Sequence, residues 1–197
     1  GTDTAQFKKL YRDTLKEDGV TAEEKGKIAD AFAGAKKTID AVYEVPFLSH
    51  AAMEPLNATV HLQDDRLDCW VGTQNPMTAL GLAAGASGLS QDKIFIHNHF
   101  VGGGFGRKSM NDELVHAINV AKVVKRPVKM VWSREQDIQH DRYRPQAAIS
   151  FKAALGADGM PTGLEIKTVV GSLLRSLGRD KVEKGVEPPA VEGLVDN

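Results

Sequence analysis

Four glycines fall within five positions of the segment "FVGGGFGRKSMND", residues 100–112. It joins an apolar run, "KIFIHNHF", to an amphipathic one, "LVHAINVAKVV". Glycine costs chain entropy on folding, so a cluster of it marks a tight turn or a close approach of the backbone to another group. At a strand-to-helix join, several freed N–H groups can converge on one anion or oxo group. The familiar nucleotide loops do not fit. A Walker loop needs glycine directly before Lys-Ser, where Arg107 stands. A Rossmann fingerprint read from Gly102 needs its third glycine at the same position. The segment either cradles an anionic or metal-oxo ligand in another way or is a glycine-rich loop kept for packing.

Other residues could join such a site. Gln74, in "GTQNPMTAL", sits between a strand and a helix, where its amide can donate into a cleft or face water. Glu54, before Pro55 in an apolar neighbourhood, is either a functional carboxylate or a structural acid accepting from nearby backbone N–H groups. His97 and His99 alternate on one strand face, but no further metal ligands complete a pattern around them. His50, His61, His116 and His140 are scattered and uninformative. Arg134, Arg142 and Arg144 cluster in "SREQDIQHDRYRPQ" and suit either phosphate or a solvated ion-pair network. "GASGL" lacks the last glycine of a nucleophile elbow. Cys69, the only cysteine, reads as a buried strand thiol.

The elements that must position these residues are legible from periodicity. Residues 4–16 place Phe7, Leu10, Tyr11 and Leu15 on one helical face, and Gly19 closes that helix. Thr21 with Glu24 forms a capping box that predicts a second helix, carrying Ile28, Phe32 and Ala35. Ile39, Ala41, Tyr43 and Val45 then alternate as a strand. Residues 57–63 and 67–72 make a hairpin around "DDR". Residues 76–86 form a helix opened by Pro76, and 93–99 a strand. After the glycine segment, Asn111 caps a helix whose buried stripe is Leu114, Ala117, Ile118, Ala121 and Val124. "PVKMVW" is a strand, residues 133–138 one helical turn, and 147–155 with 162–170 a hairpin around "ADGM".

Composition sets outer limits. The chain has 197 residues, enough for one or two domains with a real core. A net charge of -1 gives no basic excess to attract nucleic acid. No apolar run approaches the ~20 residues that span a bilayer. Strands and helices mix, so the fold class is α+β, with mixed sheets and packed helices.

Five segments then carry a resemblance. "SHAAMEPLNATV", "GTQNPMTA", "NHFVGGGFGRKSMNDE", "AKVVKRPVKMVWSREQDIQHDRYRP" and "LGADGMPTGLEI" occur in this order and spacing in the molybdenum hydroxylases, the family of xanthine dehydrogenase and the aldehyde oxidases. The chain looks in particular like the beta subunit of isoquinoline 1-oxidoreductase-type enzymes. The resemblance runs over residues 43–171 and implies the first part of a molybdopterin-binding domain there; periodicity makes residues 1–42 a helical lead-in, and the charged, glycine- and proline-rich residues 172–197 read as a connecting segment. The resemblance also implies cofactor-binding roles for Gln74, Gly103, Gly104, Phe105, Gly106 and Arg107. The backbone N–H groups of Phe105 and Gly106 would bond the cofactor, and Gly103 and Gly104 would permit its approach. Gln74 would bond an oxygen ligand of the metal, Arg107 would neighbour pterin or phosphate, and Glu54 would support. No residue here would ligate the metal directly.

The implied cofactor is molybdopterin with molybdenum, in its cytosine dinucleotide form. Electrons would leave through the pterin to 2Fe–2S clusters on a partner iron–sulfur subunit. The substrate would be a small N-heterocycle or aldehyde. Purine-hydroxylating members carry a glutamate where Ser109 stands, which speaks against a purine. The family's general-base glutamate is expected beyond the end of this chain, so the chain is expected to be an interior piece, inactive alone and completed by the remaining domains of its parent. Localisation stays open between bacterial cytoplasm and periplasm. The competing expectation is a non-redox module binding an anion or nucleotide at the glycine turn.

Overall fold

The computed structural model describes residues 3–176 and 186–188. The connection expected over 172–197 therefore lies mostly outside the described residues. The chain divides into two compact units, Gly1–Leu48 with Arg144–Asn197, and Ser49–Tyr143.

The first unit is built on a three-stranded antiparallel sheet, ordered β1-β6-β7. Strand β1 (Lys37–Val45) pairs with β6 (Ala147–Leu155), and β6 with β7 (Pro161–Val170). The turn between β6 and β7 closes through Gly156 and Gly159, the latter at φ +80°, as "ADGM" predicts. Helix α1 (Thr4–Thr14) starts with a capping box between Asp3 and Gln6, and Arg12 ties it to Glu44 on β1. Helix α2 is shorter than the sequence predicts: it spans Ile28–Ala33, and residues 21–27 are not helical. Gly26 turns left-handed at φ +74°, and the preceding residues are mostly exposed. A capping signature without an apolar face to bury behind it does not sustain a helix. The short helix packs on β7 where Gly163 leaves room; a Cβ there would come within 2.7 Å of the Ala31 methyl.

The second unit holds the candidate residues other than Arg144. Its four-stranded sheet runs β4-β3-β2-β5. Strands β2 (Asn57–Leu62) and β3 (Leu67–Val71) form the expected hairpin, and β5 (Val128–Val131) joins the far side of β2 antiparallel. Strand β4 (Ile94–Asn98) lies parallel to β3, which requires a crossover. Helix α3 (Pro76–Ser87) supplies it, capped by the Asn75 side chain and ended by Gly88 in left-handed backbone. Helix α4 (Asp112–Val124) follows the glycine segment, and α5 (Arg134–Gln139) follows β5 from a Ser133 cap.

Alternation explains the core. Ala58 and Val60 from β2 and Leu67, Cys69 and Val71 from β3 face Ala79 and Ala83 of α3 and Leu114, Ala117, Ile118 and Ala121 of α4. Two expectations fail at α4. Val124 is half exposed, and Asn111 occupies the cap position at φ 57° with its side chain on the Ser109 carbonyl instead of the helix N–H groups. Leu114 sits at full burial, so Leu114→Ala is expected to cost about 2–5 kcal/mol in denaturant unfolding. Val123→Ala, at an exposed position of the same helix, stays within about 0.5 kcal/mol.

Candidate functional site

The glycine turn leaves the end of β4 and enters α4 through a short 3-10 turn, Arg107–Ser109. Its glycines do two different jobs. Gly103 and Gly106 adopt φ +90° and +101°, where a side chain is strained. Gly102 and Gly104 make room for neighbours: a Cβ on Gly102 would lie 2.5 Å from the Glu54 Cβ, and one on Gly104 2.3 Å from the Gln74 Oε1. What approaches the backbone of Gly104 is thus Gln74 itself. Its Oε1 accepts the Gly106 N–H at 3.0 Å, while its own N–H donates to the Lys108 carbonyl at 3.2 Å. The Gly106 N–H is therefore engaged by Gln74. The Gln74 Nε2 has no partner among the described residues and belongs to an exposed side chain. The N–H groups of Gly103 and of buried Gly104 also have none there. Phe105, in left-handed backbone at φ 54°, is 61% exposed.

Beneath the turn lie two buried cations in succession. Lys108 pairs with Glu54, which also accepts the Gly102 N–H at 2.8 Å and the Asn57 amide at 3.1 Å. Burial alone would raise the Glu54 carboxyl, but these three donors outweigh it and hold it down at about 2. Of the two roles open to Glu54 from sequence, the structural one matches this geometry. Arg107, 2% exposed, has Nε 3.0 Å from Asp141 and Nη2 2.9 Å from Asp112, and its guanidinium lies 5.9 Å from the Trp132 ring. The guanidinium points inward, ion-paired, so it anchors the turn from below.

The remaining candidates are accounted for locally. His97 bonds Asp68 at 2.9 Å and stacks on Trp70, and no group of three or more metal-binding side chains gathers among the described residues. Arg134 pairs with Asp137 and bonds the Ala52 and Met53 carbonyls, and Arg142 pairs with Asp112. Cys69 is buried, and burial pushes its thiol up to about 12, so it is inert. No helix among the described residues is long and apolar enough to cross a membrane.

A glycine turn whose Gly103 and Gly104 N–H groups have no partner among the described residues, beside an exposed amide, suits a ligand rich in acceptors. The sequence comparisons decide which family this is: residues 12–173 match the model of the molybdopterin cofactor-binding domain. The chain belongs to that family. It is 32% identical over 163 residues to the isoquinoline 1-oxidoreductase subunit beta of Brevundimonas diminuta, spanning 76% of this chain and 20% of that protein. It is 29% identical over 150 residues to the aldehyde oxidoreductase molybdenum-binding subunit PaoC of Escherichia coli K12, again over 20% of its length. Quinoline 2-oxidoreductase from Pseudomonas putida 86 shares the fold, with a TM-score of 0.62 at 22% identity over 72% of this chain and 18% of that one. Aldehyde oxidoreductase from Desulfovibrio gigas superposes with a TM-score of 0.59 at 24% identity, over 74% of this chain and 16% of that one. The chain thus spans about a fifth of the curated relatives it matches.

In this molybdopterin cofactor-binding domain the structure adds residues that sequence patterns pass over. Asp141 collects the Ser49 hydroxyl at 2.7 Å, the His50 N–H at 2.6 Å, the His50 Nδ1 at 3.0 Å and the Arg107 Nε. Burial would raise its carboxyl, and the hydrogen bonds from Ser49 and His50 outweigh it and hold it below the usual range. Glu113 is the opposite case. It is 1% exposed, its Oε2 has no partner among the described residues, and burial raises it to about 7. The neutral acid is then the favoured folded form. Its contribution to stability is full below the ordinary value of 4.5 and is lost as pH rises through about 7. The difference is on the order of 3 kcal/mol. Denaturant unfolding between pH 4.5 and 8 is expected to show this loss, and Glu113→Gln to flatten it; equal slopes in both proteins would contradict it.

Proposed function

We propose that this domain holds a molybdenum–pterin cofactor at the glycine turn of a molybdenum hydroxylase. The parent protein would hydroxylate carbon next to nitrogen in an N-heterocycle or oxidise an aldehyde. The observation that carries this is the N–H of buried Gly104, which has no partner among the described residues, next to the exposed amide of Gln74. Buried backbone donors are almost always satisfied, so an orphan at a family cofactor turn implies an acceptor supplied by a ligand.

The residues fit such a group. When bound, the cofactor supplies the redox chemistry. The chain's own task is to bind and orient it. The N–H groups of Gly103 and Gly104 would donate to its acceptor atoms, and Gln74 would donate through Nε2 while its Oε1 keeps Gly106 in place. Gly103 and Gly106 allow backbone angles that no other residue adopts at ease. Exposed Phe105 would close over one face and exclude water. Arg107 acts from below, fixing the turn through Asp112 and Asp141. The cytosine dinucleotide form, an iron–sulfur partner subunit and a proton-accepting glutamate elsewhere in the parent are part of this proposal, and the family likeness supports them. The isolated chain is accordingly expected to turn over no substrate.

The test is molybdenum per chain, by elemental mass spectrometry, on the full-length parent co-expressed with its iron–sulfur partner. Gly104→Val drives a side chain into the Gln74 amide. It is expected to reduce bound metal about tenfold or more, as lost supporting contacts do at metal sites. Undiminished metal in a normally folded Gly104→Val protein would refute the assignment.

A further inference from the structure

We propose that the bare face of the three-stranded sheet is an interior seam of the parent protein, covered by an apolar, uncharged face of another part of the same polypeptide. The inference is independent of what the glycine turn holds.

The sheet β1-β6-β7 has two unlike faces. Side chains alternate along each strand, and residues directly opposite each other in antiparallel strands share a face. One face carries Asp40 and Glu44 from β1, Ser150 and Lys152 from β6, and Glu165 and Lys167 from β7. Helices α1 and α2 both lie on that side. Arg12 of α1 pairs with Glu44, and the Lys167 Nζ donates to the Glu17 carbonyl just past α1 at 2.8 Å. The methyl of Ala31 in α2 packs where Gly163 and Ala154 meet.

The opposite face is apolar in four successive cross-strand rows. Ile39, Ala153 and Leu164 form the first, and Ala41, Phe151 and Ile166 the second. Tyr43, Ile149 and Thr168 form the third, and Val45, Ala147 and Val170 the fourth. Thr168 is the one polar member, and none is charged. Tyr43 meets Phe151 edge-on at 5.6 Å, so the two rings hold each other in place on the surface. On the outer strands Ile39, Tyr43, Val45, Leu164, Ile166 and Val170 are 37–59% exposed. An antiparallel sheet normally packs its apolar face and gives its polar face to water; here the helices sit on the polar side. A contiguous exposed apolar patch of this kind marks an interaction surface.

Two features identify the occupant. A face without charge offers nothing to an acidic or basic partner, so what covers it is itself apolar. Its extent decides between a free partner and a tethered one. Seven residues at about 3.4 Å along three strands about 4.8 Å apart outline roughly 300 Å². Even doubled for side-chain relief, that falls short of the ~800 Å² per partner that a stable complex of separate molecules buries. A second copy or a free subunit would be held weakly by this face alone. A segment of the same polypeptide needs no such area, because the connecting chain supplies an effective concentration on the order of mM. The curated relatives continue well beyond the fifth of their length that this chain matches.

Solvent access to the face tests this. Cys69 is buried and its thiol inert, so a cysteine placed on the face is the one accessible thiol of this chain. Thr168→Cys and Val45→Cys report from its two edges. Their alkylation by iodoacetamide is followed by peptide-resolved mass spectrometry in this chain and in the full-length parent, each folded and in denaturant. In the folded parent both cysteines are expected to react about tenfold or more slowly than in denaturant, because a covered thiol reacts only through opening. In this chain both are expected to react close to the denatured rate. Hydroxyl-radical footprinting of Tyr43 in the unsubstituted proteins makes the same comparison without a variant. A face that reacts freely in the folded parent overturns the proposal, as does protection that appears only when the iron–sulfur subunit is added. Protection already present in this chain also overturns it; if that protection grows with chain concentration, a second copy is the occupant.

Discussion

The turn depends on the burial of two adjacent cations. Arg107 and Lys108 are both nearly inaccessible, directly after the last glycine. A buried charge is costly unless paired, and removing one partner of a buried pair costs about 3–5 kcal/mol. The pairing therefore dictates what surrounds it. Lys108 draws Glu54 in from the segment before β2, and Arg107 draws Asp112 from the start of α4 and Asp141 from beyond α5. The backbone above is pinned at two consecutive residues by carboxylates from three parts of the chain.

That pinning explains the arrangement of the glycines. A turn anchored so firmly below has little freedom to relieve crowding, so the relief is in its composition. Gly102 and Gly104 admit Glu54 and Gln74, and Gly103 and Gly106 take the left-handed angles that bring the chain back toward α4. That leaves the Gly103 and Gly104 N–H groups, with no partner among the described residues, beside the exposed Gln74 amide. Binding groups on a backbone fixed by buried ion pairs are preorganised, and little ordering remains to be done when the ligand arrives.

Much of this was legible in the sequence. The β2–β3 hairpin and α3 follow from alternation, Pro76 and Gly88, because local rules govern them. The glycine segment announces a site, and its failure to fit nucleotide patterns is informative. The supporting charges were not legible. Lys108 and Glu54 are 54 positions apart, and nothing local tells a buried lysine from a solvated one. Arg107, expected beside pterin or phosphate, is buried by partners that only the tertiary fold brings near. His50 looked like one of several scattered histidines until Asp141 met it. The misread capping box at Thr21 is the converse, a correct local signal with no apolar face to complete it.

The central claim is that buried ion pairs fix the glycine turn before any ligand binds. Residue-resolved amide hydrogen exchange across Val101–Met110 of this chain tests it most directly. The account predicts a protected Gly106 amide, bonded to Gln74, in the wild type. It also predicts that Arg107→Met loses that protection while β2 and β3 keep theirs. A Gly106 amide exchanging as fast as in an unstructured peptide in the wild type would contradict it.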